Sequence, residues 1–176
     1  IFFAFIPLFV LESQTKKGIQ VFWHSFLAFF IFNAITTYWI HHATLFGAIA
    51  AFLINATLMA TAFYLFHRIK RGTNNRIGNI AFVVLWIAME YFHLNWELSW
   101  PWLTLGNVFA NYPSLVQWYE FTGFLGGSFW VLSLNLLGFQ IIQAEKKQKA
   151  ILFSLLILVL PMFVSNHLFL DFKNPI

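Results

Sequence analysis

The chain has 176 residues, of which 60% are apolar, 21% aromatic and 9% charged, with a formal net charge of +4 and a mean hydropathy of +0.74. Those proportions exclude a water-soluble domain and describe an integral membrane protein. The cysteine count is zero, which excludes a disulfide framework, thiolate metal ligands and a cysteine nucleophile within these residues.

In chain order, the first apolar run, 1–11, would rise only about 16 Å as a helix against a hydrocarbon core of about 30 Å. It reads as the end of a truncated span and the chain as a fragment. A signal peptide would need a basic leader and a small-residue cleavage site, and neither precedes the polar ESQTKKG. Longer apolar runs follow at 19–40, 44–66, 78–95, 114–143 and 149–165, predicting an all-α polytopic helix bundle of about six transmembrane segments, the first truncated. Residues 1–165 read as one helical membrane domain and 166–176 as a lead-in to whatever follows.

The connecting segments alternate in charge. Lys16 and Lys17 fall in 12–18, Arg68, Lys70, Arg71 and Arg76 in 67–79, and Lys146, Lys147 and Lys149 in 145–149; the HHA segment and the Trp-rich 95–113 have no Lys or Arg. If every run crosses once, all the basic segments share a side, which the positive-inside rule makes cytoplasmic; 95–113 and the C-terminal tail are then outside. The basic clusters read as topology signals and anionic headgroup contacts, with no nucleic-acid partner expected.

Polar residues within the runs need a partner or a cavity, because an ionisable group in hydrocarbon is expensive. Glu90 and His93 form E-x-x-H on one helical face, which reads as a hydrogen-bonded pair supporting the helix; with His41 and His42 it could sketch a metal site, but a second E-x-x-H is missing. Glu97 is placed at the outer interface, and Glu120 in an early helical turn where the dipole favours negative charge. Gly123, Gly126 and Gly127 with Ser128 are spaced to let a neighbouring backbone approach, or to act as a hinge.

The stretch LNWELSWPWLTLGN, 94–107, puts Trp96, Trp100 and Trp102 at one boundary. An aromatic belt accounts for the rings. It does not account for Pro101 between two tryptophans or for Gly106 and Asn107 just after, which predict a shaped turn of the kind membranes tolerate around a cavity.

AMEYFHLNWELSWPWLTLGN followed by QWYEFTGFLGGSFWVLSLNLL resembles the membrane half of bacterial apolipoprotein N-acyltransferases, in which a Glu-containing helix leads into a Phe-Pro-Trp or Trp-Pro-Trp loop and a Gly-rich helix start. ITTYWIHH resembles the end of the family's third helix, with Tyr38 in place of an Asn beside Trp39, and the LPMFVSN to FKNPI stretch resembles the lead into its extracytoplasmic domain; the overall flavour is Bacteroidetes-like. The resemblance implies an eight-span inner-membrane enzyme with a nitrilase-like domain before the last span, so that this chain would hold helices two to seven. It implies no cofactor, and a Glu, a Lys and a Cys, none of them catalytic residues of this fragment, which move an acyl chain from phosphatidylethanolamine to the amino group of a diacylglyceryl-cysteine on an apolipoprotein. Residues 166–176 would then enter the missing nitrilase-like domain. The substrate- or lipid-binding residues expected on this basis are Trp39, Trp96, Trp100, Pro101, Trp102, Gly106 and Glu120. Two other classes compete: a small transporter using Glu90, His93 and Asn55, and an intramembrane metal-dependent hydrolase using Glu90, His93 and the His41–His42 pair.

Overall fold

The computed structural model describes residues 1–144 and 147–173. The regular elements among them are helices: α1 (Ile6–Gln14), α2 (Gly18–Thr36), α3 (Leu45–Gly72), α4 (Asn75–Leu94), α5 (Tyr119–Gln143) and α6 (Gln148–Lys173), with 3-10 turns at Tyr38–His42, Pro101–Leu103, Leu105–Phe109 and Pro113–Leu115. Helices α2 to α6 are long and apolar enough to cross a membrane. The chain is therefore an all-helical, multi-pass membrane protein, as its composition predicts. It divides into two compact units, one of residues 10–89 and one of residues 1–9 with 90–176.

In the unit of residues 10–89, α2 packs on α3 around rings set edge to face or tilted, with Phe29 at 5.5 Å from Trp86 and Phe82 at 5.3 Å from Phe66. A polar rivet crosses this apolar seam. Asn33 donates to its own helix at Phe29 O (2.7 Å), and its Oδ1 accepts from the amide of Asn55 on α3 (2.5 Å). The apolar run predicted to continue to residue 40 stops being α-helical at Thr36 and passes into the 3-10 turn. The Thr36 and Thr37 hydroxyls donate to the carbonyls of Phe32 and Asn33, both at 2.7 Å. Such back-bonding competes with continuation of the helix.

Two further boundaries differ from expectation. Glu12, expected in a polar loop, lies in the last turns of α1 and is fully buried; its carboxylate accepts from His67 Nδ1 (2.9 Å) and from Lys70 Nζ (2.5 Å). Those partners exist because α3 runs on through the stretch predicted as a basic loop to Gly72. Its 28 residues extend about 42 Å, well past a hydrocarbon core of about 30 Å, so the basic last turns reach beyond it. There the helix dipole favours Lys70 and Arg71.

In the unit of residues 1–9 and 90–176, Asn135 of α5 ties down the start of the chain: Oδ1 accepts from Phe5 N (2.9 Å) and Nδ2 donates to Ile1 O (3.0 Å). Helix α6 contains Pro161. Proline has no N–H, so the carbonyl four residues back, Ile157 O, loses its intrahelical donor. The indole of Trp130 on α5 supplies one at 2.7 Å, and Ser165, one turn past the proline, accepts from Gln117 N at 2.5 Å. Helix α6 continues through Lys173, so 166–173 of the expected lead-in is helical; residues 174–176 lie outside the described residues.

Trp130→Phe should lower the stability of the protein in detergent by about 1–3 kcal/mol, because it strands a carbonyl in an apolar setting. Restoring an N–H at residue 161 should recover most of that loss, so Trp130→Phe/Pro161→Ala should unfold later than Trp130→Phe alone when followed by circular dichroism.

Candidate functional site

The Trp-rich segment between α4 and α5 leaves the helix after Leu94 and proceeds through consecutive 3-10 turns. Pro101 opens the first of these turns, where its missing N–H costs nothing. Side chains of the flanking helices fasten the segment, and the E-x-x-H pair provides two of these bonds. Glu90 Oε1 accepts from Leu105 N at 2.9 Å, and His93 Nδ1 accepts from the indole of Trp96 at 2.8 Å. From the other side, Ser128 Oγ accepts from Gly106 N at 3.0 Å, and the Tyr119 hydroxyl donates to Gly106 O at 2.9 Å.

Gly106 is where the loop and α5 meet backbone to backbone. A Cβ placed there would stand 1.9 Å from Phe124 O, and one on Gly127 would stand 1.7 Å from the Tyr119 hydroxyl and 3.0 Å from Gly106 Cα. Close approach thus explains Gly127 and Ser128 as expected, although the approaching backbone is the Trp-rich loop. Gly123 has a different role: its φ of 64° and ψ of −179° break α5 one turn in, a conformation open in practice to glycine alone, and nothing lies within 4 Å of where its Cβ would be.

The fastened segment presents its rings unevenly. Trp96 and Trp100 are half-buried, Gly106 is buried, Trp102 is 61% exposed, and Glu120 is exposed before the Gly123 break. Pro101 O accepts from the amide of Asn107 at 2.9 Å, closing the turn around Trp102. Trp39 belongs to the unit of residues 10–89, where it is exposed in the turn Tyr38–His42. Two nitrogens at this site, His93 Nε2 and Trp100 Nε1, are buried without a protein partner. The Trp96 indole occupies Nδ1, so the neutral imidazole carries its proton on Nε2, and both nitrogens are N–H donors.

Glu90 and His93 therefore do not form a bonded pair with each other; each grips the loop. Among the described residues no three His, Asp or Glu gather where they could hold a metal. Tyr119 is the fastening that sequence reasoning passed over, because a tyrosine beside Trp118 reads as another interfacial ring until the Gly106 carbonyl is placed against its hydroxyl.

Residues 1–137 match the family model described as the apolipoprotein N-acyltransferase N-terminal domain. The chain belongs to this family. A curated relative, the apolipoprotein N-acyltransferase of Chlorobaculum tepidum, is 30% identical over 135 residues, which are 76% of this chain and 25% of the relative. The chain thus aligns with about a quarter of that relative's length. No solved structure matches it. The family match takes in all of these anchors, Glu90, His93, Tyr119 and Ser128, together with Gly106 itself.

Glu90→Gln keeps an oxygen for Leu105 N, whereas Glu90→Leu leaves that buried N–H without one at a cost of about 1–3 kcal/mol. Limited chymotrypsin digestion should therefore nick the 96–107 segment faster in Glu90→Leu and in Gly106→Ala, and at the unaltered rate in Glu90→Gln.

Proposed function

We propose that this chain is the membrane part of an apolipoprotein N-acyltransferase, and that its fastened Trp-rich loop forms the lipid-side wall of the acyl-transfer chamber. In this reading an acyl chain passes from the ester of phosphatidylethanolamine to a cysteine thiol, giving a thioester and a lysophospholipid. The free amine of an apolipoprotein's diacylglyceryl-cysteine then takes the acyl group as an amide and regenerates the thiol, so that one difficult acylation becomes two. The thiol, with its Glu and Lys, belongs to a nitrilase-like domain entered through 166–176, and residues 1–165 alone are inactive. The setting is the bacterial inner membrane, with 12–18, 67–79 and 145–149 on the cytoplasmic side, and 95–113 and the C-terminal tail on the periplasmic side.

The observation that carries this reading is the pairing of a rigid seat with an outward ring. Trp102 is 61% exposed while its loop is bonded on both sides, to Glu90 of α4 and to Ser128 and Tyr119 of α5. A fixed apolar wall holds a lipid ester in one place, which is the contribution that orientation makes to an acyl transfer. Trp96, Trp100 and Pro101 shape that wall, and Glu120 provides a polar contact at its edge.

In the full-length gene product, Trp102→Ala should reduce acyl transfer from phosphatidylethanolamine to a diacylglyceryl peptide by about tenfold or more, with expression and thermal unfolding unchanged. Turnover equal to that of the unaltered enzyme would remove the loop from the chamber wall. The same reading expects the intact mass of the native product to be well above 20.5 kDa, with peptides beyond residue 176 that supply a Cys, a Glu and a Lys.

A further inference from the structure

At the end of α5 opposite the Trp-rich loop, a cleft of about 250 Å³ opens between the start of the chain, α5 and α6. Its walls are Phe2 and Phe3, then Leu134 and Ile141 of α5, then Ile151 and Leu158 of α6. The one hydroxyl on its lining, Ser154, donates within its own helix to Ala150 O at 2.8 Å. Each helix contributes a wall seven residues long, about 10 Å. At roughly 30 Å³ for a group the size of a water molecule, the volume holds about eight methylenes in a row, and a slot of that length fits them end to end.

Two lysines lie within four residues of the cleft's lining at the start of α6. Ile141 lies in the last turn of α5 and Ile151 in the first turn of α6, and Lys147 directly precedes α6, with Lys149 just inside it, both exposed. A slot lined almost wholly by apolar side chains among the described residues, set between membrane-spanning helices with two exposed lysines close along the chain, suits a phospholipid with a net negative headgroup. The hydrocarbon around it supplies the chain, and lysines at a membrane surface attract anionic lipid.

We propose that this cleft seats one anionic phospholipid, with an acyl chain between α5 and α6 and its phosphate on Lys147 and Lys149. Leu134 is fifteen residues along α5 from Tyr119, about 22 Å, so this lipid is separate from any substrate at the Trp-rich loop. The site stands whether or not the acyl-transfer reading holds. It acts as a fixed filler of α5 and α6, occupied without being turned over.

The test is native mass spectrometry of the full-length protein released from vesicles of equal phosphatidylglycerol and phosphatidylcholine. One phosphatidylglycerol should stay bound, at least fivefold in excess over phosphatidylcholine. Lys147→Gln/Lys149→Gln should bring the ratio close to one, and Ser154→Phe, which fills the slot, should remove the retained lipid whatever its headgroup. Equal retention of both lipids by the unaltered protein would overturn the proposal. So would retention that Ser154→Phe leaves intact, since the slot would then be filled by another part of the protein. The lysine pair is exposed, so its variant reports even if the bulky substitution fails to fold.

Discussion

Hydrocarbon offers no partner to a backbone N–H or C=O, and this constraint explains most of the specific contacts of the protein. Where a helix runs without interruption the backbone satisfies itself. At two interruptions, side chains from another element step in. Pro161 deprives Ile157 O of its donor and the Trp130 indole replaces it. The Trp-rich segment leaves α4, and the exposed ends of its backbone find Glu90, Ser128 and Tyr119. Residues that would look wasteful in an apolar span are the ones that make irregular backbone affordable there.

The same constraint converts a flexible-looking segment into a rigid one. A loop of this composition in water would be held by little more than its turns. Here the bonds to Leu105 N and Gly106 N are buried and the one to Gly106 O is partly so, and release of either N–H strands a buried polar group. Rigidity then has a use in the proposed function: a ring as large as Trp102 can project from the segment without moving it. The Gly123 break contributes by turning the first residues of α5, Glu120 among them, out of the line of the helix.

Charge is managed in a comparable way. Glu12 is buried between a histidine and a lysine of α3, an arrangement in which a lone carboxylate would be prohibitive and a bonded one is tolerable. Lys70 is drawn into that cluster, while Lys147 and Lys149 remain exposed beside an apolar slot.

The sequence by itself determined that the chain is helical and membrane-spanning, because long apolar runs cut by short polar segments admit no other economical arrangement. It also singled out the Trp-Pro-Trp segment, since a proline between membrane-boundary tryptophans and a glycine soon after have no place in a straight span. It placed Gly127 and Ser128 at a close approach through their small size alone. What only the tertiary structure decided is which partner each polar group takes. Glu90 and His93 share a helical face and so suggest each other, yet His93 takes the indole of Trp96 and Glu90 reaches Leu105, fifteen positions away, which no local spacing reveals. Glu12 sits in a polar string that reads as loop, and its burial depends on α3 outrunning its apolar stretch to bring His67 and Lys70 alongside. Periodicity reports the environment of a residue's own helix, whereas a hydrogen bond in hydrocarbon is set by whichever distant group the packing delivers to it.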